Sequence, residues 1–349
     1  MARLFLHIGT HKTGTSYLQH LFHLNRDRLE QAGLHYPRIG SDSAHHALVE
    51  VWFEIPDLPP DRFREGGPDR LWEDLVQRHA RGPGTVILSS EAFSRQGREP
   101  IDYADLARRL APFEEVRVIC TLRRQAELAQ SVWLEVARKG RALTLRPYLN
   151  RAWTEGLCHG VSIDHERIYD RLLEGFSPDR IHLFDYEHVR RARGGLAQAL
   201  LDLAGADLSV SDLRQPPPES ANISPDPLGF YLASRIAGSA PPPAALVTAV
   251  TDILRTDPPR PTSLLSRAEY ARFHSVYAPV NARLVDRVQP WQPGFTLSDT
   301  APSGKLFYRD DVTEWKWLEI AARLYADPPR DETTIADRAR RILRKGFGR

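Results

Sequence analysis

The stretch Leu4-Phe5-Leu6-His7-Ile8-Gly9-Thr10-His11-Lys12-Thr13-Gly14-Thr15-Ser16 decides the fold of this chain. An apolar run gives way to glycines and threonines, and then Tyr17, Leu18, Leu21, Phe22 and Leu24 recur at helical spacing. This pattern predicts a buried strand over 4–8, a turn over 9–15 and a helix after it. The backbone N–H groups that open such a helix have no acceptor within it, so a glycine-bearing turn at that point forms a cradle for phosphate. Lys12 adds a neutralising cation, and the Thr and Ser hydroxyls add donors. The chain has only five lysines and is otherwise basic through arginine, which singles Lys12 out. The order of residues departs from the triphosphatase loop, in which lysine follows the second glycine, since Lys12 here precedes Gly14.

Working outward, further apolar runs predict strands over 85–88, 116–122 and 180–186, separated by helices over 103–110, 126–138 and 168–174. Short apolar strands alternating with helices imply a parallel sheet covered on both faces, a three-layer α/β/α arrangement. Beyond residue 210 the prolines Pro216-Pro217-Pro218, Pro241-Pro242-Pro243 and Pro258-Pro259 interrupt helices expected over 244–254 and 267–288. The expected organisation is one domain over 1–330, with a core over 1–210 and a helical C-terminal extension over 211–330 that shapes the acceptor site. A basic tail over 331–349 follows.

The 349 residues are 42% hydrophobic and 26% charged, an ordinary globular composition. A formal net charge of +2 gives no field of the kind that marks a nucleic-acid binder, so no nucleic-acid partner is expected. Residues 333–349 hold six basic side chains against the single Asp337, so the basic excess is local. That tail also carries Ile335, Ile342, Leu343 and Phe347; a solvated helix is the plain reading and weak contact with an anionic membrane surface the alternative. Cys120 and Cys158 are too few for a disulfide framework and lack zinc-site spacing, which fits a reducing, cytoplasmic setting. The opening apolar run stops at Gly9, short of a secretory leader, and no later run reaches the ~20 residues of a membrane span.

The segment Lys12-Thr13-Gly14-Thr15-Ser16 resembles the 5′-phosphosulfate loop of sulfotransferases that use 3′-phosphoadenosine 5′-phosphosulfate (PAPS). A second element of that family is an Arg at the end of a later strand with a Ser eight residues on. Arg123, after Ile119-Cys120-Thr121-Leu122, and Ser131 stand at that spacing. The resemblance covers roughly residues 3–190 and implies a P-loop-type fold and PAPS-dependent sulfuryl transfer. It implies that Lys12, Thr13, Gly14, Thr15 and Ser16 hold the 5′-phosphosulfate, with Lys12 stabilising the leaving phosphate. It further implies that Arg123, or its neighbour Arg124, and Ser131 hold the 3′-phosphate. A closing basic loop is represented by either Ser303-Gly304-Lys305 or Arg138-Lys139-Gly140-Arg141, and Trp52, Trp133 and Trp153 are the candidates to stack on adenine.

An acceptor hydroxyl or amine that attacks sulfur must lose a proton, and the resemblance, in which the base is a His or Glu at the end of the strand after the loop helix or in the segment before it, implies Glu91, after the strand over 85–88, or His45 or His46. No metal is required in this chemistry, and a strand-end Arg123 disfavours a cation. Two alternatives stay open. One is a P-loop small-molecule kinase acting on Mg-ATP with Asp185 at the metal; the other is a non-catalytic nucleotide- or glycan-binding module. The expected acceptor is a small molecule or glycan, including a glycolipid, and the oligomeric state is not legible.

Overall fold

The computed structural model describes residues 1–326, apart from 57, 64–65, 97–99, 142–143, 218–223, 239–240 and 299–303. The basic tail and Ser303 therefore lie outside the described residues. The strands are β1 (Arg3–Gly9), β2 (Leu34–His35), β3 (Thr85–Ser89), β4 (Glu115–Leu122), the short pair β5 (Leu157–Cys158) and β6 (Val161–Ser162), and β7 (Ile181–Asp185). Five of them form one parallel sheet in the order β2-β3-β1-β4-β7. β1 is central and is buried from Leu4 to Gly9, which is why its sequence reads as an apolar run and not as an alternation.

Alternate residues of each strand enter two separate cores. Leu4, Leu6, Ile8, Leu88, Val118 and Leu122 face one way, against the helices Gly67–His79, Tyr103–Leu110 and His165–Leu172. Phe5, Ile87 and Ile119 face the other way, against the helices Thr15–Leu24 and Gly195–Ala204. The result is the expected three-layer α/β/α arrangement around a parallel sheet. Its connections open a crevice. The helix after β1 covers one face and the helix after β3 covers the other, so the chain parts at the carboxyl ends of these neighbours.

By contact the chain divides into two units. The first holds the described residues of Met1–Val132, Leu145–Ile223 and Ala271–Ala301, and therefore the whole sheet. The second includes Trp133–Thr144, Ser224–Tyr270 and residues 304–326. It has its own core, in which Leu228, Leu232, Leu246, Val250 and Ile320 join the helices Pro227–Ala237, Ala244–Leu254 and Glu314–Ala326. No helix among the described residues is long and apolar enough to cross a membrane.

The helices over 103–110, 244–254 and 267–288 stand as the spacing predicts. The one expected over 168–174 begins at His165, because the Asp164 side chain accepts the Arg167 N–H at 3.0 Å and caps it three residues earlier. β2 and the β5–β6 hairpin are two-residue strands, too short to show a period. The hairpin turns at His159 (φ 50°) and Gly160 (φ 82°), a pair of left-handed residues suited to a tight antiparallel connection.

Candidate functional site

The end of β1 bends before it becomes the loop. Its register against β4 shifts between His7 and Gly9, a bulge, and Thr10 ties back to the Thr121 carbonyl through both its N–H (2.8 Å) and its hydroxyl (3.0 Å). Lys12 then adopts φ 64°, a left-handed conformation that costs a non-glycine residue about 1 kcal/mol or more and recurs at functional sites. Gly14 is the N-cap of Thr15–Leu24 and supplies no side-chain cap. The first helical bond runs from Leu18 N–H to Gly14 C=O, so the N–H groups of Thr15, Ser16 and Tyr17 have no acceptor inside the helix. A Cβ built on Gly14 would meet nothing within 4 Å, so the space over this helix end is open. The hydroxyls play different parts: Thr13 donates to the Thr10 carbonyl at 2.6 Å and shapes the loop, whereas Thr15 and Ser16 make no side-chain hydrogen bond among the described residues.

On the β3 side of β1, Glu91 fills the crevice. It abuts the loop so closely that a Cβ on Gly9 would lie 2.9 Å from the Glu91 Cβ. Its Oε2 accepts from the Gln19 amide at 3.0 Å, and its Oε1 lies 4.0 Å from His46 Nε2. His46 Nδ1 is 2.7 Å from the Ser90 hydroxyl. Burial pushes the Glu91 carboxyl up, but the positive charge available to His46 and His11 and the Gln19 donor outweigh it and bring it down to about 2. Glu91 is therefore a firmly ionised carboxylate, a good hydrogen-bond acceptor and a weak proton acceptor. Underneath, His7 is fully buried in β1, with Nδ1 2.8 Å from the Ser89 hydroxyl; burial lowers it to about 4 and keeps it neutral.

His45 is placed otherwise. It is 1% exposed, its Nδ1 accepts the Ser89 N–H at 2.9 Å, and its Nε2 lies 2.8 Å from the Pro37 carbonyl. Both ring nitrogens are committed to backbone, and burial lowers the ring to about 4. The structure thus brings His46, and not His45, to Glu91.

On the β4 side, Arg123 leaves the strand end and donates from Nη1 to the Lys12 carbonyl at 2.7 Å, with its guanidinium 5.1 Å over the Tyr186 ring. Its Nε is buried without a hydrogen-bond partner, an orphan donor beside the loop. Arg124 is committed elsewhere, to Glu127 at 2.9 Å and Glu187 at 3.5 Å. Arg124 Nε is likewise buried without a hydrogen-bond partner, so what separates the two arginines is that Arg124 is paired with carboxylates, whereas Arg123 has no carboxylate within 4.0 Å among the described residues. The helix Gln125–Arg138 starts here and carries Ser131, which is 7% exposed and makes no side-chain hydrogen bond among the described residues. Gln125 anchors this start, bonding Asn281 Oδ1 at 2.7 Å and His165 Nδ1 at 3.1 Å.

The remaining candidates of the first unit, Asp185, Trp52 and Trp153, are engaged elsewhere in it, and Trp133 and Lys139 belong to the second unit. Asp185 lies two strands from β1, where its carboxylate caps Glu187 N–H and accepts from Ser298 N–H, so its oxygens are engaged by the protein. Trp52 packs against Trp72 and Phe93 in the core, Trp153 lies against Phe273 under Arg272, and Trp133 contacts Tyr231 in the second unit. Lys139 pairs with Glu135 in the second unit. Gln19, His7 and Tyr186 join the site without being singled out by any motif. Gln19 and His7 carry a usable signal nonetheless, since each is a polar residue at a position where the apolar pattern demands burial.

Among solved structures, the chain is similar to bacterial sulfotransferases. One is a sulfotransferase from Alicyclobacillus acidocaldarius, 18% identical, with TM-score 0.41 over 82% of this chain and 95% of that one. Another is the sulfotransferase domain of the Synechococcus PCC 7002 olefin synthase, 16% identical, with TM-score 0.31 over 67% of this chain and 86% of that one. No family model matches the sequence, and no curated protein matches it.

Proposed function

We propose that this protein is a PAPS-dependent sulfotransferase that moves a sulfuryl group to a hydroxyl or amine of a small-molecule or glycan acceptor. The observation that carries the reading is the pairing of an open, uncapped helix N-terminus at Gly14–Ser16 with Arg123, whose guanidinium reaches the Lys12 carbonyl and keeps one buried donor unsatisfied. These residues fit a ligand with two separate phosphate groups. PAPS supplies the sulfuryl group when bound, and its bisphosphate leaves.

In this reading Lys12 and the helix N–H groups stabilise the charge that grows on the leaving phosphate. The Thr15 and Ser16 hydroxyls hold the 5′-phosphate, Thr13 and Gly14 shape the loop that presents them, and Arg123 with Ser131 holds the 3′-phosphate. The attacking hydroxyl gives its proton to His46, since an imidazole is the side chain whose ordinary range suits a base near neutral pH. Glu91, already ionised, faces the ring and stabilises the imidazolium that forms. An in-line displacement requires the base, His46, and the leaving phosphate, held by Lys12 and the helix N–H groups, to lie on opposite sides of the transferred sulfur. No metal ion takes part in this scheme, and a cytoplasmic setting accords with two free, buried cysteines, Cys120 and Cys158.

Calorimetry tests the reading. Adenosine 3′,5′-bisphosphate is expected to bind without magnesium, and transfer from PAPS to an acceptor panel is expected to fall about a thousandfold in Lys12→Ala with the melting temperature unchanged. Magnesium-dependent binding of ATP alone would instead assign a kinase. Cofactor binding with no transfer to any acceptor would assign a binding module.

A further inference from the structure

Arg123 stands on a connection of two residues. β4 ends at Leu122, which is paired with Asp185 of β7, and the next helix starts at Gln125. With both ends fixed, the direction in which the Arg123 side chain leaves the backbone is fixed too. The strand end is held by the sheet. The helix start is held by side chains 40 and 156 residues away in sequence, all of them in the first unit.

At that start lies a buried polar cluster. Gln125 is 0% exposed, His165 2% and Asn281 8%. The Gln125 amide donates one hydrogen to Asn281 Oδ1 at 2.7 Å and the other to His165 Nδ1 at 3.1 Å, and its Oε1 accepts from Asn281 Nδ2 at 3.3 Å. His165 opens the helix His165–Leu172 and Asn281 belongs to the helix Arg267–Val288, so one amide ties the start of its own helix to two others. The imidazole must present a bare Nδ1 to this amide. Burial keeps it so, lowering His165 to about 4 against the pull of the Arg123 backbone and the Asn281 side chain. Buried amides cost free energy wherever a bond goes unmade, and both Gln125 donors are used in this one arrangement. Apolar side chains would tolerate a shifted helix start; the polar cluster specifies it.

We infer that Gln125, His165 and Asn281 are positioning residues for Arg123, which set the affinity of the site for a 3′-phosphate without touching it. The inference rests on the sulfotransferase reading, in which Arg123 meets that phosphate. A charge-assisted hydrogen bond depends on distance and angle, so a helix start displaced by a fraction of an ångström weakens it.

Calorimetry on the full-length protein compares adenosine 3′,5′-bisphosphate with adenosine 5′-monophosphate, which lacks the group that Arg123 reads. The unmodified chain is expected to favour the bisphosphate about tenfold to a hundredfold. Asn281→Leu is expected to shrink that preference about tenfold while leaving the Kd of the monophosphate unchanged. In the background of Arg123→Ala, where the preference is already lost, Asn281→Leu should remove nothing more, since two changes that act through one contact do not add. His165→Leu takes away a single acceptor of the Gln125 amide and is the milder break, to be read if Asn281→Leu does not fold. His165→Gln restores an acceptor and is expected to keep the preference. A preference untouched in both leucine variants, a loss equal for the two nucleotides, a further loss on top of Arg123→Ala, or no rescue by His165→Gln would overturn the inference alone. An unmodified chain that binds the two nucleotides alike, or neither, would overturn the sulfotransferase reading and the inference with it.

Discussion

The two sides of β1 are built from opposite charges. Toward β3 lies Glu91, an ionised carboxylate with Gln19 and His46 at its oxygens. Toward β4 lies Arg123, a cation over Tyr186 that donates to the Lys12 carbonyl. In the proposed reading a phosphate is repelled on the first side and held on the second, and the acceptor's proton goes to His46 on the first side. The single strand between them keeps the two functions a strand's width apart without letting Glu91 neutralise Arg123. Among neighbouring arginines, Arg124 shows the alternative: with Glu127 and Glu187 against it, its charge is already compensated.

Paired substitutions break this contrast most sharply. His46→Asn is expected to lower kcat by a hundredfold or more, in the range of about 10² to 10⁴ for a lost proton acceptor, with bisphosphate affinity unchanged. Arg123→Ala is expected to do the reverse in kind, raising the Kd for adenosine 3′,5′-bisphosphate about tenfold to a hundredfold through loss of a charge-assisted contact. Steady-state kinetics and calorimetry on the same preparations separate the two. If both variants move the same parameter, the division of labour across β1 is wrong.

Pressing one side against the loop probes the same contrast by packing. Gly9→Ala places a Cβ 2.9 Å from the Glu91 Cβ and 3.2 Å from its Cα, at φ 80°. Left-handed strain and the contact together are expected to cost about 2–3 kcal/mol, visible in urea unfolding, and to reduce turnover by displacing Glu91. Arg123-dependent bisphosphate binding should suffer less. Unchanged stability would mean that the loop and Glu91 are not in contact.

How far each element is legible in the sequence depends on what it rests on. β1, β3, β4 and the loop announce themselves because a buried parallel strand is an apolar run and a phosphate cradle needs glycine at fixed places. Arg123 is legible for the same reason, as a cation that ends such a run. The helices Gly67–His79 and Gly195–Ala204 are not among the expected elements, and β2 has two residues and owes its existence to pairing with Thr85 and Val86, a tertiary contact no local pattern records. The choice among Glu91, His45 and His46 is equally out of reach. Adjacent residues look alike in sequence, and only the fold turns His45 into the backbone and His46 toward Glu91.

The contrast between the two histidines carries the smallest and cleanest prediction. Burial lowers His7, His45 and His165 to about 4, against 6.5 for an unfolded imidazole. As pH falls below 6.5 the unfolded chain takes up protons that the folded chain refuses, so stability is fully present above that value and is lost progressively toward pH 4. Glu91 adds to the loss only lower, between 4.5 and about 2, because its folded carboxyl lies below its unfolded value. Each buried histidine contributes at most about 1.4 kcal/mol per pH unit to the slope. His45→Gln removes one of these protons while leaving an amide that can still meet Ser89 N–H and the Pro37 carbonyl. Urea unfolding at pH 7, 6 and 5 is therefore expected to give a slope shallower by about one proton's worth. A slope equal to that of the unmodified chain would mean that His45 accepts a proton in the fold, returning it to the contest for the catalytic base that its two backbone bonds exclude it from.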